Sequence, residues 1–131
     1  MIDAALLTTA TAESVHFAEV SELDAVREEL LRATNVFETG EEVHDQESLF
    51  RVLADTLRFP DWFGDNWDAL ADCLREVDAP GSRHGFIVVL HHAKALWREA
   101  PECAGMLIET WLSIAEERRA EGEPFHLVFL W

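Results

Sequence analysis

Phe86-Ile87-Val88-Val89-Leu90 is an unbroken apolar run of β-branched and aromatic residues. A strand with one wet face alternates apolar and polar positions, so this run reads as a strand buried on both faces. The stretch from Phe125 to Trp131 is also nearly all apolar and likewise needs helices over it. Shorter strand candidates are Val36-Phe37-Glu38-Thr39 and the segment Val15, Phe17, Val20. Helical patterns separate all of these, and strands spaced by helices argue for βαβ crossovers in a small, mostly parallel sheet. The expected class is α/β.

Caps and breakers place the helices. Residues 1–12 are small, polar and weakly patterned, which reads as a loose end. Ser21 with Asp24 three positions on marks a helix start, with Leu23, Val26, Leu30 and Leu31 inward to about Ala33. Gly40 is a turn. Asp45 is the expected N-cap of a helix with Leu49, Val52, Leu53 and Leu57 inward, ended by Pro60. Ala79-Pro80-Gly81-Ser82 is the clearest turn in the chain. After His91-His92, a short helix carries Ala93, Leu96 and Trp97. Pro101 opens the next, with Leu107, Ile108, Trp111, Ile114 and Ala115 inward and Gly122 as its stop. The mixed charges Glu116, Glu117, Arg118, Arg119 and Glu121 read as a solvated helix end. With no repeat or linker, residues 1–131 are expected to form one domain, of which residues 1–33 are a leading β–α unit.

The chemically distinctive stretch is Phe59 to Asp78. Trp62-Phe63-Gly64 forms a tight aromatic loop feeding a helix that starts at Asp65 or Asn66 and runs to about Val77. At 100° per residue, Trp67, Leu70, Cys73, Leu74 and Val77 share one arc, and Asp65, Asp68, Asp72 and Glu76 share the opposite one. The stripe has a cost. Asp68/Asp72 and Asp72/Glu76 are like charges at i,i+4, each destabilising by ~0.2–0.5 kcal/mol, with only Arg75 near to offset them. Asp72 and Glu76 also lie toward the end of the helix where the macrodipole disfavours anions. A solvated acidic face is the plain account. The alternative is a surface for gripping something cationic, and Trp62 and Phe63 beside the carboxylates favour it.

Ten Lys+Arg against 26 Asp+Glu give a formal charge of −16. Nucleic acid and anionic membranes are therefore excluded as direct partners, since phosphate binding needs a cationic footprint; a basic protein or a metal cation fits better. Cys73 and Cys103 sit in no CxxC or metal-ligand spacing and read as small buried hydrophobes in a reducing compartment. The opening segment lacks the charged n-region of a signal peptide, so a cytoplasmic location is expected. Asp68 and Asp72 could in principle serve as acid and base, yet an outward helix face offers no enclosure to raise a pKa. His91-His92 could ligate a metal with a carboxylate, but neighbours at a strand end diverge. No GxGxxG, Walker A or GxSxG pattern occurs. The expectation is a binding protein with no catalytic residue, no metal and no cofactor; a small carboxylate hydrolase or divalent-metal-binding protein is the alternative from another class.

The run Trp62-Phe63-Gly64-Asp65-Asn66-Trp67-Asp68-Ala69-Leu70-Ala71-Asp72-Cys73-Leu74 resembles the signature of the barstar family, small cytoplasmic inhibitors of secreted microbial ribonucleases. Thr39-Gly40-Glu41 and Ala120-Glu121-Gly122 fall where that family has its first strand turn and last helix end, so the likeness covers about residues 35–131. It implies three parallel strands, from about Val36, Phe86 and Phe125, covered by helices, with any strand from residues 14–20 as a fourth. It also implies that loop and acidic helix plug the active site of a basic ribonuclease, carboxylates standing where RNA phosphates would sit. By position, Asp72 matches the aspartate that enters the phosphate subsite and Asp68 the other principal helix acid. Asn66 matches the polar contact at the helix start, Trp62 the stacking aromatic, Glu117 the supporting acid on the last long helix, Asp65 the loop acid and Gly64 the turn glycine. Two features depart from the family: Ala71 stands where it has a contact tryptophan, and Trp62 and Phe63 replace paired tyrosines. An immunity protein against a related cationic toxin that is not a ribonuclease is the neighbouring alternative.

Overall fold

A computed structural model describes residues 2–77 and 84–131, and the turn expected at Ala79-Pro80-Gly81-Ser82 lies outside them. The elements in chain order are α1 (Ala4–Leu7), β1 (Val15–Ala18), α2 (Val20–Ala33), β2 (Asn35–Glu38), α3 (Gln46–Leu57), α4 (Trp67–Glu76), β3 (Phe86–Leu90), α5 (Ala93–Glu99), α6 (Pro101–Ala120) and β4 (Phe125–Leu130). The strands form one parallel sheet in the order β1-β4-β3-β2. The two apolar runs are its central pair, in register Phe86 with Phe125 to Leu90 with Phe129, and every residue of both is buried. The three expected strands are present, and the leading β–α unit adds the fourth at the edge beside β4.

Because side chains alternate along a strand, the central pair projects into two cores. Phe86, Val88, Leu90, Phe125, Leu127 and Phe129 meet α3, α4, α5 and α6 on one face. Ile87, Val89, Val128 and Leu130 meet Ile2, Leu7, Leu23 and Leu30, from α1, α2 and the short segment ahead of α1, on the other. Residues 1–33 thus roof the second face of the sheet, on the side away from α4.

Several details differ from the sequence expectations. Residues 1–12 are not loose: the Asp3 carboxylate accepts from the Leu6 N–H, and the single turn α1 buries Ala4 and Leu7. One turn is too short to show a helical period. The start of α2 is capped by Glu19, which accepts from the backbone of Glu22 while the Glu22 carboxylate accepts from the Glu19 N–H, so Ser21 and Asp24 are not the capping pair. Leu31 is exposed, since Leu23 and Leu30, seven apart, define the inward stripe and Leu31 lies off it. In α3 the Asp45 cap and all four inward residues are as expected, with Phe50 buried among them as well. Pro101 opens α6, and Gly122, at φ +77°, follows its end.

Two polar contacts tie the roofing layer to the sheet. Arg27 on α2 donates two hydrogen bonds to Glu38 at the end of β2, at 3.1 and 2.8 Å, and Glu38 also bonds His91 at 2.8 Å. Closer to the core, His16 Nε2 lies 2.9 Å from His126 Nδ1, and His126 Nε2 lies 2.8 Å from the Thr9 carbonyl. A carbonyl can only accept, so His126 carries a proton on Nε2; burial disfavours a second proton on the ring, which leaves Nδ1 as the acceptor for His16 Nε2–H. Both rings are neutral in this arrangement. Burial, reinforced by His126, lowers the His16 pKa to about 4, and burial lowers that of His126.

Two outcomes follow from the roofing layer. Leu30→Ala should lower stability by about 2–5 kcal/mol in urea denaturation, because a fully buried leucine leaves a cavity over the sheet. As pH falls from 6.5 toward about 4, an unfolded chain takes up the proton that folded His16 refuses, so stability should decline across that window and be fully present above it. Melting curves recorded through the window should decline less steeply for His16→Gln, whose amide cannot titrate.

Candidate protein-binding face

The loop before α4 is built on aromatic contacts. Phe63 packs edge-on against Phe50 and Phe59, with centroids 5.7 and 5.1 Å apart, and Trp67 packs against Phe50 at 4.9 Å. The Phe63 N–H closes a turn on the Pro60 carbonyl at 3.0 Å. Phe63 is therefore half-buried scaffold, and Trp62 at the turn is the exposed aromatic, 54% accessible. Asp65 holds φ +51°, a left-handed conformation that aspartate tolerates better than most residues. Asn66 then caps α4: its Oδ1 accepts from the Ala69 N–H at 2.8 Å and its Nδ2 donates to the Gly64 carbonyl at 3.2 Å. A Cβ on Gly64 would come within 3.2 Å of that same Nδ2, so a larger residue would crowd the cap.

From this start the amphipathic spacing directs the rest. Leu70, Cys73 and Leu74 are buried, with Trp67, Ala71 and Val77 packed against the same core. Asp65, Asp68, Asp72 and Glu76 are exposed. Asp68 has no ion pair among the described residues. Asp72 accepts from Arg75 Nη1 at 2.9 Å, and Arg75 Nε also lies 3.1 and 3.2 Å from the two carboxylate oxygens of Glu117 on α6. One guanidinium thus draws the α6 acid to the α4 stripe. Ala71, half-buried, contributes only a methyl group at the edge of the face.

The last turn of α4 faces an electrostatic problem, because its free carbonyls and its acids are alike negative. Arg118 of α6 answers it. Arg118 Nη2 donates to the carbonyls of Leu74, Arg75 and Val77 at 2.9, 3.1 and 2.9 Å, and Nη1 pairs with Glu123. The guanidinium carbon lies 4.9 and 4.8 Å from the ring centroids of Phe86 and Phe125. Arg118 is buried, which corrects the expectation of a wholly solvated helix end. The signal was present: Trp111, Ala115 and Arg118 fall at i, i+4 and i+7, on the inward stripe of α6.

The family model described as Barstar (barnase inhibitor) matches residues 33–130. No curated protein matches the chain. Among solved structures, a chain from the structure of Drosophila ORC bound to DNA is similar over 97% of this chain and 35% of its own, at 16% identity and a TM-score of 0.57. A chain from the structure of Drosophila ORC bound to AT-rich DNA and Cdc6 is similar over 92% of this chain and 41% of its own, at 12% identity and a TM-score of 0.53. The present chain spans well under half of either, and at such identities the likeness is one of fold alone.

Arg118→Ala should be among the most damaging single substitutions in the chain, costing about 3–5 kcal/mol, since it strands the α4 carbonyls and the Glu123 carboxylate together. Chemical denaturation of the variant checks the loss, and Arg119→Ala, an exposed neighbour, should stay within about 0.5 kcal/mol of wild type.

Proposed function

This chain belongs to the barstar family, and on that premise we propose that it inhibits a basic microbial ribonuclease by occluding the active site. The observation that carries the reading is the outward display of Asp68 and Asp72 on a capped helix, with Glu117 drawn in from α6 and Trp62 exposed on the loop ahead. A ribonuclease has to be cationic to bind RNA, so its inhibitor has to be anionic. Carboxylates at helical spacing can occupy positions that phosphates would take, and Asp68, with no ion pair among the described residues, is available to do so.

The roles divide by chemistry. Asp72 enters the phosphate subsite and meets the cationic side chains there, while Asp68 and Glu117 flank it. Trp62 stacks on a ring or guanidinium plane at the rim, and Gly64 with Asn66 keeps the backbone of the loop close to the enzyme. Asp65 and Glu76 extend the negative field beyond the contact. That field speeds encounter with a cationic partner, an effect for which the barnase–barstar pair is itself the reference example. Ala71 removes an aromatic anchor, so the grip rests more on charge than on apolar burial. Acting by stoichiometric occlusion, the protein needs neither catalytic group nor cofactor, and a cytoplasmic location suits a guard against folded nuclease left inside the cell.

Asp72→Ala should weaken binding to a basic ribonuclease such as barnase by about 2–5 kcal/mol, because it removes one side of a desolvated charge pair. Its effect on folding should stay below about 1 kcal/mol, since the carboxylate is exposed and its bridge to Arg75 is a surface one. Calorimetric titration beside thermal melting separates the two effects; equal affinities for wild type and variant would overturn the reading.

A further inference from the structure

Among the described residues, α4 carries one basic side chain on its acidic ridge, and its position is peculiar. Arg75 reaches Asp72 on its own helix and Glu117 on α6 at once, with side chains 46%, 62% and 52% exposed respectively. Its two bonds to Glu117 run from a single Nε to both carboxylate oxygens, and Nη1 alone serves Asp72. Neither contact is the paired, parallel fork that holds an arginine to a carboxylate most firmly. Asp68 and Glu76, the other acids of the stripe, make no ion pair with any described residue. The cation is therefore held where the face is richest in negative charge, by contacts that solvent weakens.

We infer that Arg75 is a specificity-determining residue that occupies Asp72 and Glu117 in the free protein and has to be displaced by an incoming guanidinium. The inference rests on the proposed inhibitory function and adds a selection rule to it. A guanidinium delivered in fork geometry by a well-shaped active site displaces Arg75 and takes both carboxylates. A diffuse polycation or a lone lysine offers a weaker replacement and leaves the bridge closed. The stripe can then be strongly acidic without engaging every basic protein it meets.

The test uses the full chain and barnase as probe. In the free protein, the Nε–H resonance of Arg75 should shift in Glu117→Gln; a resonance indifferent to that change overturns the inference with no partner present. In calorimetry against barnase, Arg75→Gln should bind about three- to tenfold more tightly than wild type. Arg119→Gln, which removes the same charge from an exposed position outside the bridge, should give a smaller gain. The extra gain from Arg75→Gln should shrink in an Asp72→Ala background and vanish when Glu117→Gln is added to it. If Arg75→Gln matches Arg119→Gln or binds more weakly than wild type, Arg75 is not a competitor and the inference fails while the inhibitory reading stands. If Asp72→Ala leaves barnase binding unchanged, or wild type does not bind, the inhibitory reading fails and the inference falls with it.

Discussion

Two strands that are apolar on both sides set the terms for everything else in this protein. β3 and β4 have no solvent face to give, so each needs cover above and below. Four helices between them supply one cover and, in supplying it, fix where α4 lies and which way its acids point. The other cover comes from a segment outside the family match, whose α1 and α2 close over Ile87, Val89, Val128 and Leu130. Residues 1–33 are therefore part of the structural logic of the sheet, as well as an additional strand on its edge.

The loop ahead of α4 uses its aromatic residues unequally. Phe50, Phe59, Phe63 and Trp67 pack on one another beneath it, and Trp62 is left at the tip. A pre-ordered loop loses less entropy when something binds it, which suits the electrostatic grip proposed for this surface. The same economy applies to Asn66, which satisfies a helix N–H and pins a loop carbonyl with one amide.

Much of this was legible in the sequence, and the misses have definite causes. The central strands announced themselves as unbroken apolar runs, and α3 and α4 through Asp45, Asn66 and Pro60. The acid stripe followed from arithmetic on a helical wheel. α1 escaped because one turn has no period, and the α2 cap because glutamate is an uncommon N-cap beside the usual Ser, Thr, Asp and Asn. Contacts between distant parts of the chain left no local trace: His16 and His126 are 110 residues apart, and Arg75 and Glu117 are 42 apart. Arg118 is a different case, since its inward phase was visible and its charge argued it outward. A buried arginine is rare unless something exceptional receives it, and here a helix end does.

That arrangement has a wider meaning for the acidic helix. Ordinarily the surface of a helix has to supply its own counterions toward the C-terminal end, lysines and arginines spent on keeping the element folded. In this protein the compensating cation comes from underneath, through the floor of the structure. The carbonyls at the end of α4 are thereby satisfied from below, so that Arg75, the basic residue on its outer side, is left to the carboxylates of Asp72 and Glu117.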